Sequence, residues 1–242
     1  MRVVYEPRGK AREYSELALN LYTGCVHGCK YCYCPPIRRM TPEQYHANAE
    51  PRKDLLKKLR ADAIELQGDE REILCCFMCD PYQFGLENNL TREALEILAA
   101  NDLRVQILTK GGTLACRDFD IVAAHGWKFA TTILLTSQKD ADEWEPNAAP
   151  LSDRKAAVME AHKRGIKTWV SVEPVIYPDQ ALRVIEELLP FVDFWKVGKM
   201  NHDPNIESRV DWEAFLSDVE SLLCDRPHLI KKDLAKFGKG TK

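Results

Sequence analysis

The 242-residue sequence predicts an α/β fold, a partial (β/α)6 TIM-like barrel whose parallel sheet carries its helices on the outside. Three observations predict it. Short apolar runs alternate with helical runs at intervals of about 30 residues, the length of a strand–helix unit. The apolar runs are nearly continuous, as parallel strands buried on both faces are. Chemistry-bearing residues recur just after those runs, at the carboxyl ends of strands where such folds build their sites.

Six strands are expected, at residues 18–22, 73–78, 104–109, 129–135, 168–173 and 194–197. Helices are expected at 51–66, 91–100, 118–124, 153–164, 179–189 and 211–224. Pro51 suits a first helical position, and Thr91 reads as an N-cap. Ser152 or Asp153 can cap the fourth helix, and Gly165 closes it just past Lys163 and Arg164. Leu95, Leu98 and Ala99 recur at helical spacing, as do Leu182, Ile185, Leu188 and Leu189. Six such units fit an incomplete barrel or a doubly wound sheet, and spacing discriminates weakly between them. The chain reads as one domain, 1–242, with the barrel at about 17–225 and a basic segment at 226–242.

Composition bounds the function. A hydrophobic fraction of 45% and a charged fraction of 29% allow a core under a solvated surface. The net charge of −3 argues against a protein that coats nucleic acid through bulk charge. Residues 226–242 hold six Lys/Arg against one acid, Asp233. They are expected to form a solvated tail, with a nucleic-acid or partner contact as the alternative. No run approaches the roughly 18 apolar residues of a membrane span, and the first residues lack a signal core, so a cytoplasmic protein is expected. Nine cysteines are an odd number, and they cluster: Cys25, Cys29, Cys32 and Cys34, then Cys75, Cys76 and Cys79. Clustering of this kind points to metal or redox chemistry rather than disulfides.

The loop after the first strand reads Thr23-Gly24-Cys25-Val26-His27-Gly28-Cys29-Lys30-Tyr31-Cys32-Tyr33-Cys34-Pro35. Three thiolates spaced C-x3-C-x2-C can wrap one face of an iron–sulfur cube and leave one iron open to another ligand. The spacing also admits a structural zinc with Cys34 or His27 as fourth ligand. Tyr31 stands immediately before the third cysteine, and the motif C-x3-C-x-aromatic-C follows the first strand. In both respects the segment resembles the radical S-adenosylmethionine superfamily. That resemblance implies a [4Fe–4S] cluster on Cys25, Cys29 and Cys32, with S-adenosyl-L-methionine bound at the open iron. It implies reductive cleavage to methionine and a 5′-deoxyadenosyl radical that abstracts hydrogen from substrate. A one-electron donor such as flavodoxin or ferredoxin is implied as a partner.

Further runs resemble the spore photoproduct lyase-like branch of that superfamily. They include Asn20-Leu21-Tyr22-x-Gly24-Cys25, Asp80-Pro81-Tyr82-Gln83, Glu87, Leu90-Thr91-Arg92, Thr109-Lys110, Arg117-Asp118, Glu145-Pro146, Arg154 and Glu173-Pro174-Val175-Ile176. By resemblance Tyr31, Asp80, Lys110, Thr132 and Glu173 form the cofactor-binding set, with Asp80 on the ammonium and Lys110 on the carboxylate of S-adenosylmethionine. Tyr31 and Tyr33 match residues assigned to hydrogen relay, and Tyr33 joins the expected catalytic set. The lyase carries Cys-Thr-Ser-Asp after its second strand, where this chain has Phe77-Met78-Cys79-Asp80 and so no cysteine at the donor position. Strand alternation would put Cys76 and Met78 on one face and Cys75, Phe77 and Cys79 on the other, making Cys79, then Cys76, the candidate thiols. Lys199, Asn201 and His202 are expected near the pocket mouth. The implied substrate is nucleic acid; a peptide or small metabolite, or a non-catalytic zinc or iron–sulfur protein, are the alternatives.

Overall fold

The computed structural model describes residues 2–86 and 89–238; Glu87, Lys239 and Lys242 therefore lie outside the described residues. Eight strands form one sheet: β1 (Val4–Tyr5), β2 (Leu17–Leu19), β3 (Glu72–Cys75), β4 (Arg104–Thr109), β5 (Lys128–Thr132), β6 (Lys167–Val175), β7 (Phe194–Lys199) and β8 (His228–Ile230). Spatial order follows chain order from β1 to β8, and every pairing is parallel except β1 with β2. A doubly wound sheet reverses its strand order at a switch point; this one does not. The architecture is therefore the partial barrel, with β1 and β8 as its two open edges.

The described helices are α1 (Cys34–Arg38), α2 (Pro42–His46), α3 (Leu55–Glu65), α4 (Leu90–Ala99), α5 (Phe119–Ala124), α6 (Gln138–Trp144), α7 (Leu151–Lys163), α8 (Pro178–Leu188), α9 (Pro204–Arg209), α10 (Trp212–Leu222) and α11 (Lys232–Ala235). Their apolar stripes make the outer core. In α8, Ala181, Val184, Ile185 and Leu188 are buried at helical spacing against Val170, Val172 and Val197 of the sheet. The opposite, inner face is smaller: Leu74, Ala130 and Trp169 pack with Tyr14, Phe77, Leu108 and Phe194. None of the described helices is long and apolar enough to cross a membrane.

Several local expectations are corrected. Pro51 does not open a helix: residues 50–52 pair with 21–23, with Arg52 N–H donating to Leu21 O at 3.0 Å and Thr23 N–H to Glu50 O at 2.9 Å. Helix α3 starts only at Leu55. Thr91 lies inside α4, its hydroxyl bonded to Pro81 O at 2.6 Å instead of capping. Asp153 is likewise inside α7, its carboxylate accepting from the Thr113 N–H and hydroxyl. Gly165 does close α7, at φ +72°. Strand β3 stops at Cys75, so strand alternation does not extend through Cys79. Cys75, Cys76 and Cys79 all join the main packed cluster, with the Cys75 and Cys76 Sγ atoms 3.3 Å apart, while Phe77 joins the inner face.

The basic C-terminal segment is not a solvated tail over its described part. Residues 228–230 extend the sheet as β8 beside β7, and Leu234 of α11 is fully buried. Lys231 is buried against the barrel, donating to Lys10 O at 3.3 Å, and Lys232 N–H donates to Glu13 at 2.9 Å. The sequence shows this strand poorly because three half-buried residues carry no apolar run. Leu234→Ala is expected to cost about 2–4 kcal/mol in urea unfolding, the range for emptying a buried leucine site. A segment that only solvates the chain would give no change.

Candidate active site

The cysteine loop leaves β2 and is fixed from three sides. Gly24 is forced by proximity, because a Cβ there would stand 2.2 Å from the Asn48 carbonyl oxygen. Val26 N–H donates to Gln83 Oε1 at 2.7 Å, and Gln83 Nε2 in turn donates to Asp80 O at 2.8 Å. Asn147 donates through Nδ2 to Val26 O at 3.0 Å and through its backbone to His27 O at 3.1 Å, while Lys30 N–H reaches Trp144 O at 2.9 Å. Gly28 passes this contact at φ +67°, a conformation natural to glycine.

The three motif cysteines are free thiols in one electrostatic neighbourhood. Burial, then the Asp80 charge, pushes Cys25 well above the usual thiol range. Burial pushes Cys29 up to about 12, with Lys110 opposing and Glu145 adding. Hydrogen bonding to Cys34, and after it to His46, pulls Cys32 down to about 5, and Cys34 rises in exchange. Cys34 is thus a partner of the third motif cysteine.

Two buried carboxylates tie this loop to the strand ends. Asp80 accepts from Tyr82 N–H at 2.8 Å, Thr109 Oγ1 at 2.5 Å and Lys110 N–H at 2.7 Å, and its Oδ2 lies 3.5 Å from His27 Nδ1. These contacts take up most of the acceptor capacity of a carboxylate, so Asp80 acts inside the protein as a brace across β3 and β4. Glu145 accepts from the Tyr31 hydroxyl and from Arg154 at 2.6 Å. Burial would raise Glu145, but Arg154 and Lys110 outweigh it and hold the carboxyl below its ordinary range. Arg154 is 1% exposed and also donates to Ala149 O at 2.7 Å and Thr132 O at 3.1 Å. Lys110 is half-buried with its Nζ 5.5 Å above the Tyr31 ring. Burial works against its charge, yet Cys29 and Glu145 lift it above an ordinary lysine. Its Nζ makes no hydrogen bond or ion pair among the described residues.

The inner face supplies the second half of the site. Thr132, Ser171 and Lys196 lie in one register row across β5, β6 and β7. Glu173 accepts from the Tyr14 hydroxyl and pairs with Lys231 at 3.2 Å. Gly198 makes room for it, since a Cβ there would stand 2.7 Å from the Glu173 carboxylate. Tyr33 is 46% exposed and donates to Phe77 O at 2.9 Å, which places it at the rim of this face. Cys76 and Cys79 are buried in the packed cluster that also takes in Val26 and Tyr31; Cys79 Sγ accepts from Tyr22 N–H at 3.4 Å, and its charge acts on Cys25. Lys199, Asn201 and His202 form a turn: Lys199 pairs with Glu207 at 2.6 Å, Asn201 donates to Lys199 O, and His202 N–H donates to Glu207.

The sequence pattern of the radical S-adenosylmethionine superfamily matches residues 19–192, well over half of the chain. The chain belongs to the radical S-adenosylmethionine superfamily. An uncharacterised protein of Methanocaldococcus jannaschii is 25% identical over 191 residues, covering 77% of this chain and 71% of that protein. The fold is similar to a spore photoproduct lyase variant at a TM-score of 0.70 and 15% identity, covering 94% of this chain and 78% of the lyase. It is also similar to Streptococcus suis SuiB bound to S-adenosylmethionine, at a TM-score of 0.65 and 13% identity over 91% of this chain. The chain spans about half the length of SuiB, 52%.

Radical S-adenosylmethionine proteins use an iron–sulfur cluster with S-adenosylmethionine, and the residues here fit that pair. The donors are soft thiols, as a cluster requires. His27 Nε2 is buried without a partner, a polar atom left over for a bound group. Gln83, Glu145 and Arg154 were given no role by the sequence motifs alone. Arg154 does carry a signal: it lies on the buried stripe of α7 with Leu151, Ala157, Val158 and Ala161.

Removing Arg154 would strand a buried carboxylate, so Arg154→Met is expected to cost about 3–5 kcal/mol in urea unfolding. The double variant with Glu145→Gln should recover part of that loss. A second outcome concerns Lys196, which burial pushes down to about 7. Unfolded chains then bind the extra proton between about pH 7 and 10.5, so native stability climbs with pH across that window. Lys196→Met should remove this slope, leaving the variant roughly 1–3 kcal/mol ahead of wild type near pH 6 and losing that lead toward pH 10.

Proposed function

We propose that the chain is a radical S-adenosylmethionine enzyme that holds a [4Fe–4S] cluster on Cys25, Cys29 and Cys32. The observation that carries this reading is a single braced loop of three free thiols beside Lys110, whose ammonium has no acceptor among the described residues. When bound, cluster and S-adenosylmethionine would supply reductive carbon–sulfur cleavage and a hydrogen-abstracting 5′-deoxyadenosyl radical. Every other part is assigned to the protein. Lys110 takes the carboxylate of S-adenosylmethionine through its free Nζ. Asp80 positions Lys110 through its backbone N–H and the His27 loop through the imidazole ring, and Glu145 with Arg154 fixes Tyr31 and the β5 end. Thr132 and Glu173 border the chamber from the inner face, and Tyr33 stands at its rim.

The substrate lies against the inner face, on the side of Phe77 rather than of Cys76 and Cys79. An external one-electron donor of the flavodoxin or ferredoxin class completes the reaction. Nucleic acid as substrate rests on the resemblance and on the exposed basic residues Arg226, Lys232 and Lys236, while Lys231 is taken into the fold. Lys231 is buried, and Lys236 pairs with Asp233 at 2.6 Å.

Anaerobically reconstituted protein should hold about four irons and cleave S-adenosylmethionine when reduced. Cys29→Ala should lose both iron and cleavage; full iron loading in that variant would sink the assignment. Lys110→Met should keep its iron but bind S-adenosylmethionine about tenfold or more weakly, measured by equilibrium dialysis. One zinc per chain and no brown chromophore would instead support a binding protein without turnover.

A further inference from the structure

The inner face of the sheet buries more positive charge than it balances. Lys196 and Lys231 are 7% and 5% exposed, and their Nζ atoms lie 4.9 and 4.5 Å from the centre of the same Tyr14 ring. Glu173 faces Lys231, which engages it at 3.2 Å beside the Tyr14 hydroxyl, while Glu72 is the carboxylate whose charge acts on Lys196. Lys128 and Glu72, further along the face, close on each other at 2.6 Å. Lys196 has no carboxylate within ion-pair distance among the described residues. Its ammonium has three N–H donors, of which the Tyr14 carbonyl takes one at 2.8 Å. The Trp169 ring, with its centre 4.0 Å from Nζ, offers a π face and no acceptor atom.

A buried ammonium without a counter-charge is costly, and the cation–π contacts offset only part of that cost. Burial therefore brings Lys196 down to about 7, where an arriving anion decides whether it carries charge. Neither carboxylate can swing to Lys196 to supply that anion without giving up its own partners, Lys128 for Glu72 and Lys231 with Tyr14 for Glu173. Tyr14, Phe77 and Trp169 surround the position with rings, their centroids 6.0 Å and 5.9 Å from that of Tyr14.

We propose that Lys196, with Lys231 beside it, forms an oxyanion site that takes a carboxylate or phosphate group of the substrate. The inference rests on the inner face being the substrate side of the radical chemistry proposed above. The substrate's anion brings the missing charge and fills the two free N–H donors of Lys196. Holding a remote anionic group in this way orients the reacting carbon without touching it, which is how binding energy is turned into positioning.

The test is calorimetric titration of the cluster-loaded protein with S-adenosylmethionine present, using inorganic phosphate in one arm and malonate in the other. Potassium chloride holds the ionic strength constant. Wild type should bind at least one of the two saturably. Lys196→Met should weaken that binding about tenfold or more, while Lys196→Arg keeps it within about threefold. Lys139→Met, at an exposed position of α6, should bind as wild type does. Binding of phosphate alone assigns a phosphate ester, malonate alone a carboxylate, and both a site that reads the shared charge. No saturable binding of either anion, or equal affinity in Lys196→Met, overturns the proposal. If Lys196→Met does not fold, Lys196→Gln is read in its place. Cleavage of S-adenosylmethionine, followed on the same samples, separates the two ideas. Cleavage without anion binding rejects the oxyanion site alone, and anion binding without cleavage rejects the radical reading.

Discussion

The buried pair of Glu145 and Arg154 joins more separate pieces of this molecule than any other described contact of the site. Through Tyr31 it holds the cysteine loop; through Thr132 O it holds the end of β5; through Ala149 O it holds the turn into α7. Both side chains are almost wholly out of water, so each depends on the other for its charge. A pair of this kind adds little net stability over an apolar substitute, because desolvation consumes most of the attraction. Its worth lies in geometry: the planar guanidinium accepts few arrangements, and three loops must come together for it to be satisfied.

Asp80 performs the same task on the neighbouring strands. It binds the first turn after β3, the last residues of β4 and the His27 ring with one carboxylate. The consequence for chemistry is a division of labour. Asp80 is engaged by backbone and hydroxyl donors and Glu145 by Tyr31 and Arg154, which leaves Lys110 Nζ at the cysteine loop without a hydrogen-bond acceptor among the described residues. A group left free in a rigid frame is what a cofactor's carboxylate can use. The two faces of the sheet are divided in the same spirit, with helices outside, and lysines, glutamate and aromatic rings inside.

Much of the arrangement was legible before the fold was known. The C-x3-C-x2-C loop with its aromatic residue, and the placement of Lys110 and Glu173 at strand ends, follow from local patterns that survive any packing. Other readings failed where a residue's partner is distant in the chain. Thr91 looks like an N-cap until Pro81 O claims its hydroxyl, and Pro51 looks like a helix start until residues 21–23 pair with it. The alternation used to sort Cys76 from Cys79 fails because β3 ends at Cys75.

The sequence by itself determined the class of the fold and the loop of three spaced thiols, because both depend on spacing: strand–helix length for one, the C-x3-C-x2-C interval for the other. Tertiary structure decided the rest. Strand order separated a partial barrel from a doubly wound sheet, which the same six units could have formed. It drew residues 228–235 from an expected tail into the sheet and its packing. It also put Lys196 and Lys231, thirty-five positions apart, over one tyrosine ring. Charge balance inside a barrel is a sum over strands that meet only on folding, and no single stretch of sequence contains it.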